Sequence, residues 1–76
     1  MSIDYEGKTP LWRQLADILR AQIESGELPP GRRMPSETTL VQTYQVARGT
    51  AAKALDALER EGLVERVQGR GTFVTE

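Results

Sequence analysis

The sequence has no cysteine and no histidine among its 76 residues. Disulfide bonds and zinc sites built on thiolate or imidazole ligands are therefore excluded, as is catalysis by a Ser-His or Cys-His pair. No run of residues approaches the about 20 apolar residues that a membrane helix needs, and the polar, acidic N-terminus MSIDYEGKT is not the pattern of a signal peptide. We therefore expect a cytoplasmic protein that is not an enzyme and binds no cofactor or metal.

Net positive charge is also missing. The formal net charge is −1, whereas dedicated nucleic-acid-binding domains are usually basic. The charges are nevertheless unevenly distributed, because the carboxylates concentrate in the first 27 residues and just after residue 55. Between residues 31 and 55 the charged residues are Arg32, Arg33, Arg48 and Lys53 against Glu37. The middle of the chain could thus present a basic face to phosphate groups.

A chain of this length forms one small domain, and apolar residues at helical spacing predict its first helix. Thr9 is a suitable N-cap and Pro10 fits the first helical position, and the helix should end near Ser25 and Gly26. The apolar positions of this helix are Leu11, Leu15, Ile18, Leu19 and Ile23.

A helix-turn-helix and a hairpin are predicted next. Ser36 is the expected N-cap of a short second helix, and a third helix begins near Ala47 or Arg48 and stops at Gly62. Only about three residues, starting at Gln45, join the two helices, so they should cross at a steep angle. After Gly62, the segments LVERV and TFVT flank QGRG, which is the pattern of a β-hairpin.

Several separated blocks resemble one family. LPPGRRMPSE and VARGTAAKALDALEREGLVERVQGRGTFV, with the preceding helix, are similar to the N-terminal DNA-binding domain of the GntR (gluconate-repressor) family. KALDALEREGLVERVQGRGTFV most resembles its histidine-utilisation-repressor (HutC) branch. The resemblance implies an α+β fold, a three-helix winged helix-turn-helix with a C-terminal two-stranded β-hairpin wing, over residues 9–76. Residues 1–8 show no periodicity and are expected to be flexible.

The same resemblance implies a function. Members of the family bind double-stranded operator DNA as dimers, so we expect a nucleoid-associated bacterial transcriptional repressor that pairs with a second copy on a palindromic site. Family members normally continue into an effector-binding or oligomerisation domain. A small-molecule effector is therefore expected only if such a domain accompanies this chain.

Candidate site residues follow from the family pattern. It places the helix from Arg48 in the major groove, the wing tip at Arg70 in the minor groove, and Ser36 with its neighbours Glu37 and Thr38 at phosphates. The family usually has arginine at positions 38 and 52, where this chain has Thr38 and Ala52. Two expected arginine contacts with DNA are therefore missing.

Each candidate DNA-contacting residue of the third helix also has an ordinary structural explanation. The fork of Arg48 can donate two hydrogen bonds to guanine, and a solvated arginine is the alternative, although a cation at a helix start opposes the helix dipole. Gly49 permits a close backbone approach and Thr50 can contact phosphate or a thymine methyl group, but both are also tolerated near a helix start. Lys53 could hold a phosphate or be solvated.

The hairpin and the segment before the second helix supply the remaining candidates. Glycines on both sides of Arg70 would expose it on a slim tip suited to a narrow minor groove, and an ordinary turn is the alternative. Arg33 could reach phosphate or lie in a solvated loop. The remaining wing candidates are Gln68, Gly69, Gly71 and Thr72.

Other groups have structural interpretations. Core packing is expected for the aromatic residues Trp12, Tyr44 and Phe73. A solvent-facing set of salt bridges with Lys53 and Arg60 is expected for the carboxylates Asp56, Glu59 and Glu61.

One alternative function stays open. A winged helix can serve as a protein–protein interaction module, and the low net charge and the two missing arginines keep that alternative open. Binding to random duplex DNA at low salt distinguishes the two functions, because a DNA-binding domain should bind weakly even there.

Overall fold

Three helices precede a two-stranded antiparallel hairpin in the computed structural model, which describes residues 3–76. The helices are α1 (Leu11–Glu24), α2 (Glu37–Tyr44) and α3 (Arg48–Arg60), and the strands are β1 (Val64–Val67) and β2 (Gly71–Val74). The predicted α+β winged helix-turn-helix is confirmed. No helix in the described part of the chain has the length and apolar character needed to cross a membrane.

The hydrophobic core lies between α1 and α3 and is closed by the base of the hairpin. The fully buried leucines of the three helices are Leu15, Leu19, Leu40 and Leu58. Val64 and Val74, which pair across the two strands, are buried in the same cluster. Burial of each such side chain stabilises the fold by about 1.5–3 kcal/mol. The base of the hairpin is therefore anchored, while its tip projects from the core.

The start of α1 differs from the prediction by one residue. Pro10 has a ψ of 146°, which lies outside the helical region, so Pro10 occupies the N-cap position and Leu11 begins the helix. No side chain caps this end. The carbonyl of Thr9, the predicted N-cap, instead accepts a hydrogen bond from Gln14 Nε2 at 2.8 Å. The predicted end of the helix is confirmed, with Ser25 as the C-cap.

The helix-turn-helix forms as predicted. Ser36 caps α2, because its Oγ accepts a hydrogen bond from the Thr39 N–H at 3.1 Å. The turn begins at Gln45, which adopts the left-handed conformation with φ 57° and ψ 47°. Val46 is buried in the core and fixes the turn, and Ala47 is the N-cap of α3.

The segment 32–34, predicted to be a loop, lies in extended form along the outer edge of β2. Met34 N–H donates to the Thr72 carbonyl at 2.7 Å, and Val74 N–H donates to the Arg32 carbonyl at 2.8 Å. Arg33 and Phe73 form an antiparallel bridge between these bonds. Backbone hydrogen bonds hold this pairing, so the side-chain pattern did not reveal it.

The N-terminal segment contacts the helices without forming an element of its own. Asp4 N–H donates to Gln14 Oε1 at 2.7 Å, and the Tyr5 hydroxyl donates to the Tyr44 carbonyl. Ile3 packs against the core. The predicted flexibility of residues 1–8 stays a prediction, and its first two residues, Met1 and Ser2, lie outside the described range.

Candidate nucleic-acid interface

A groove of about 450 Å³ lies between the N-terminal end of α2 and the hairpin. The hairpin, residues 64–74, is called the wing below. Met34 and Leu55 contribute apolar walls to the groove. It brings together most of the site residues predicted from the sequence, namely Arg33, Ser36, Glu37, Thr38, Gln68, Gly69, Gly71 and Thr72. Two predicted regions that are at least 30 positions apart in the chain thus form one surface.

The first turn of α3 stands beside this groove. Arg48 is exposed, and its Nη2 donates to Thr38 Oγ1 at 3.4 Å. A bond of that length is weak, so the guanidinium can exchange it for a ligand at little cost. Gly49 is exposed, and a Cβ built on it would meet nothing within 4 Å, so packing does not require a glycine there. Thr50 is half-buried.

Arg70 projects from the wing tip. Its N–H donates to the Val67 carbonyl at 2.9 Å and closes the turn. The flanking Gly69 and Gly71 have φ values of 78° and 120°, in the region that favours glycine. The Arg70 side chain makes no hydrogen bond or ion pair with any residue between 3 and 76, and it is exposed outside the groove.

Lys53 is directed towards α1 instead of the groove. Its Nζ lies 5.0 Å from the centre of the Trp12 ring, in cation–π geometry. The predicted core role of the aromatic residues is confirmed for Tyr44, which packs against the buried cluster. Trp12 and Phe73 are half-buried.

The predicted salt bridges within α3 are wrong, because its carboxylates pair with other elements. Asp56 forms an ion pair with Arg66 of β1, and Glu59 Oε1 lies 3.8 Å from Arg66 Nε. Glu61 pairs with Arg20 of α1 at 2.5 Å. Arg66 also lines the groove, and sequence reasoning missed it. Its position could have been inferred from the sequence, because residues two apart in a strand share a face. Arg66 therefore lies on the same face of β1 as the buried Val64, which is the face that is turned towards α3.

This pairing leaves the predicted interface basic despite the net charge of −1. Three carboxylates of the α3 region lie in ion pairs with Arg20 and Arg66, and Glu37 is the one carboxylate among the candidate site residues. Four candidate cations, in contrast, have no carboxylate partner within residues 3–76: Arg33, Arg48, Lys53 and Arg70. A surface of this charge suits a polyanion.

Comparison with known proteins gives a family match. The sequence profile described as "Bacterial regulatory proteins, gntR family" matches residues 11–74. The mannosyl-D-glycerate transport/metabolism system repressor MngR of Escherichia coli (strain K12) is 44% identical over 70 residues, which are 92% of this chain and 29% of the relative. The histidine utilization repressor of Pseudomonas putida is 42% identical over 71 residues, which are 93% of this chain and 29% of the relative.

Solved structures agree with the sequence comparison. The crystal structure of AraR(DBD) in complex with the operator ORR3 matches with a TM-score of 0.86 at 33% identity, over 99% of this chain and 90% of that one. The chain therefore spans about three-tenths of the length of the two curated relatives, and nearly all of a solved domain that was crystallised with DNA.

Proposed function

The chain belongs to the gntR family of bacterial regulatory proteins, and we propose that it binds a double-stranded operator and represses transcription by occupying it. The likeness to AraR(DBD), a domain crystallised with its operator, is the observation that carries this proposal. It extends over 99% of the chain, and therefore includes the helix-turn-helix and the wing. The basic surface beside the groove supports the same conclusion.

In this proposal the exposed start of α3 enters the major groove. Arg48 reads a guanine with two hydrogen bonds after releasing its weak bond to Thr38. Gly49, which has open space around its Cβ position, lets the backbone approach the base edges. Thr50 contacts phosphate or a thymine methyl group.

The remaining candidate residues hold the DNA backbone and the minor groove. Arg33 and the N-terminal end of α2, with Ser36, Glu37 and Thr38, face one phosphate strand, where free helix N–H groups favour an anion. Lys53 adds a phosphate contact on the α1 side. Arg70 enters the minor groove, supported by the other wing residues Gln68, Gly69, Gly71 and Thr72.

Several finer points belong to the same proposal. We place the DNA-binding domain at residues 9–76, in a cytoplasmic, nucleoid-associated regulator. A second copy binds the other half of a palindromic operator, and a small-molecule effector acts through a further domain if one is present. Assignment to the HutC branch also stays a proposal, because a repressor of another system matches at 44% identity and the histidine utilization repressor at 42%.

Selection of bound sequences from random duplex DNA tests the proposed function. A DNA-binding domain should enrich a defined sequence with two-fold symmetry, and should bind unselected duplex weakly at low salt. The matched control is the Arg48→Ala, Arg70→Ala double variant, which keeps the core and should enrich nothing. Failure of the folded wild-type chain to bind any duplex at low salt would contradict the proposal and favour a protein–protein interaction module.

A further inference from the structure

Arg33 and Gly71 are in contact across the groove between α2 and the wing. An ideal Cβ on Gly71 would lie 2.9 Å from Arg33 Nε and 3.2 Å from Nη2. Both distances are shorter than a normal side-chain contact, so the guanidinium lies directly on the bare Gly71 backbone. The two residues are far apart in the sequence, and a turn requirement alone explains Gly71 without reference to Arg33.

The backbone aims the Arg33 side chain at this position. The segment 32–34 is hydrogen-bonded along β2 on both sides of Arg33, through Met34 N–H to Thr72 and through Val74 N–H to Arg32. Arg33 itself bridges to Phe73. A side chain that leaves this strand is therefore fixed at its base by β2 and supported near its end by Gly71. Fixing a long arginine reduces the entropy that it loses on binding.

The charge of Arg33 remains available. It is exposed and forms no ion pair with another residue in the described range, in contrast to Arg66 on the same groove, which is held by Asp56. Most of an arginine's donors are thus free on the surface that faces the proposed phosphate strand.

We propose that Gly71 is a positioning residue, whose missing side chain holds the guanidinium of Arg33 ready to bind a DNA phosphate. This inference rests on the proposed function, since the phosphate is that of the operator backbone. The role differs from forming the turn around Arg70. It predicts that any β-carbon at position 71 displaces the Arg33 guanidinium and removes one phosphate contact, even where the wing still folds.

The first test needs no DNA. Gly71→Ala should move the Arg33 Nε–Hε resonance in a nitrogen–proton NMR spectrum. Gly26→Ala is the matched control, because Gly26 also has a positive φ, its Cβ would meet nothing within 4 Å, and it lies outside the proposed interface. The control variant also adds a β-carbon at a positive φ, 87° at Gly26 against 120° at Gly71, and should leave the Arg33 resonance in place. An unchanged resonance in Gly71→Ala, or an equal movement in both variants, would overturn the positioning role.

The second test measures binding to a mixed-sequence duplex at several salt concentrations. Arg33→Ala should reduce the slope of log affinity against log salt by about 0.9 per bound protomer, which is one phosphate contact. Gly71→Ala should reduce the slope by the same amount, and combining the two changes should reduce it no further. Gly26→Ala should leave the slope unchanged.

The outcomes separate this inference from the proposed function. Additive losses in the double variant, or an unchanged slope in Arg33→Ala while the wild-type chain binds, would overturn the inference and leave DNA binding intact. If Gly71→Ala destabilises the wing, its loss of binding persists in the Arg33→Ala background, and that result also counts against the inference. Absence of binding by the wild-type chain would overturn both.

Discussion

Arg48 is placed where helix stability gives no reason for a cation. It is the first residue of α3, and a positive charge there opposes the helix dipole by about 0.3–1 kcal/mol. Its hydrogen bond to Thr38, at 3.4 Å, is too long to offset that cost fully. A residue that costs stability and remains exposed is better explained by a ligand than by the fold.

Arg48→Ala should therefore weaken binding to the selected operator by about 1–3 kcal/mol, because a bidentate contact with guanine is lost. The loss on random duplex should be much smaller. Arg60→Ala is the matched control, since Arg60 is an exposed arginine at the other end of α3 and forms no ion pair within residues 3–76. Fluorescence anisotropy on both duplexes makes the comparison. Equal losses on the two would reassign Arg48 to a phosphate contact.

Gln45 allows a stability prediction at the turn. It holds φ 57°, a conformation that costs a residue with a β-carbon roughly 1 kcal/mol relative to glycine. The Gln45 side chain offsets this cost only with one exposed hydrogen bond, which Nε2 donates to the Gln42 carbonyl at 3.1 Å. We expect Gln45→Gly to raise the free energy of unfolding by up to about 1 kcal/mol. A fall in the denaturation midpoint would show that the Gln42 bond outweighs the backbone strain.

Elements are connected in this domain by contacts that a sequence pattern does not display. The three helices and the hairpin were predictable because apolar spacing and turn residues are local signals, such as the Ser36 cap. The strand-like pairing of Arg33 with β2 was not, since backbone hydrogen bonds leave no side-chain periodicity. The ion-pair partners of Asp56 and Glu61 were also missed, because i,i+4 spacing cannot reveal partners on other elements. The same local reasoning gathered the groove residues but did not predict that Lys53 lies over the Trp12 ring.

The ion pair between Arg20 of α1 and Glu61, the C-cap of α3, makes the stability of the fold depend on pH. Hydrogen bonds from Arg20 lower the pKa of the Glu61 carboxyl group in the folded state. Because this pKa is lower in the folded than in the unfolded state, the ionised Glu61 carboxylate stabilises the fold at pH values above its unfolded-state pKa of about 4.3. The stabilisation is lost as the pH falls through the folded-state pKa. Glu61 is 40% exposed, so solvent screening limits the contribution to about 0.2–1 kcal/mol.

Glu61→Gln should thus be less stable than the wild-type chain at neutral pH by that amount, and the two should converge as the pH falls through the lowered pKa of the folded-state Glu61 carboxyl group. Urea denaturation across this range measures the difference. Glu65→Gln is the control, because Glu65 is exposed and unpaired within residues 3–76. A difference that stays constant down to low pH would show that packing, and not charge, is lost in Glu61→Gln.

The wing behaves as an element with an anchored base and a free tip. Arg70→Ala should weaken binding most where A·T-rich sequence flanks the major-groove site, since a narrow minor groove attracts arginine. The melting temperature should hardly change, because the Arg70 side chain is exposed and Val64 and Val74 hold the hairpin base. Binding assays on duplexes with A·T or G·C flanks make the test. A large drop in melting temperature would identify a structural role instead.

At the scale of the whole molecule, a chain of net charge −1 is proposed to bind a polyanion through one basic face. Such a domain should make few phosphate contacts and show a shallow dependence of affinity on salt. The number of phosphate contacts is reduced further at Thr38 and Ala52, the two positions where the family usually has arginine. Thr38 contacts Arg48, while Ala52 is half-buried one turn beyond Arg48 on the same side of α3.

Ala52→Arg tests this charge balance. Ala52 lies outside the buried core cluster, so the domain should still fold. Each added phosphate contact contributes about 0.9 to the slope of log affinity against log salt, and the slope should steepen by that amount per bound protomer. Affinity should rise on operator and random duplex alike. Ser25→Arg adds the same charge at the C-cap of α1, outside the proposed interface, and should change the slope far less. If the two variants steepen the slope equally, net charge alone governs binding. If Ala52→Arg folds and leaves the slope unchanged, α3 does not lie along the DNA, and its assignment as the recognition helix fails.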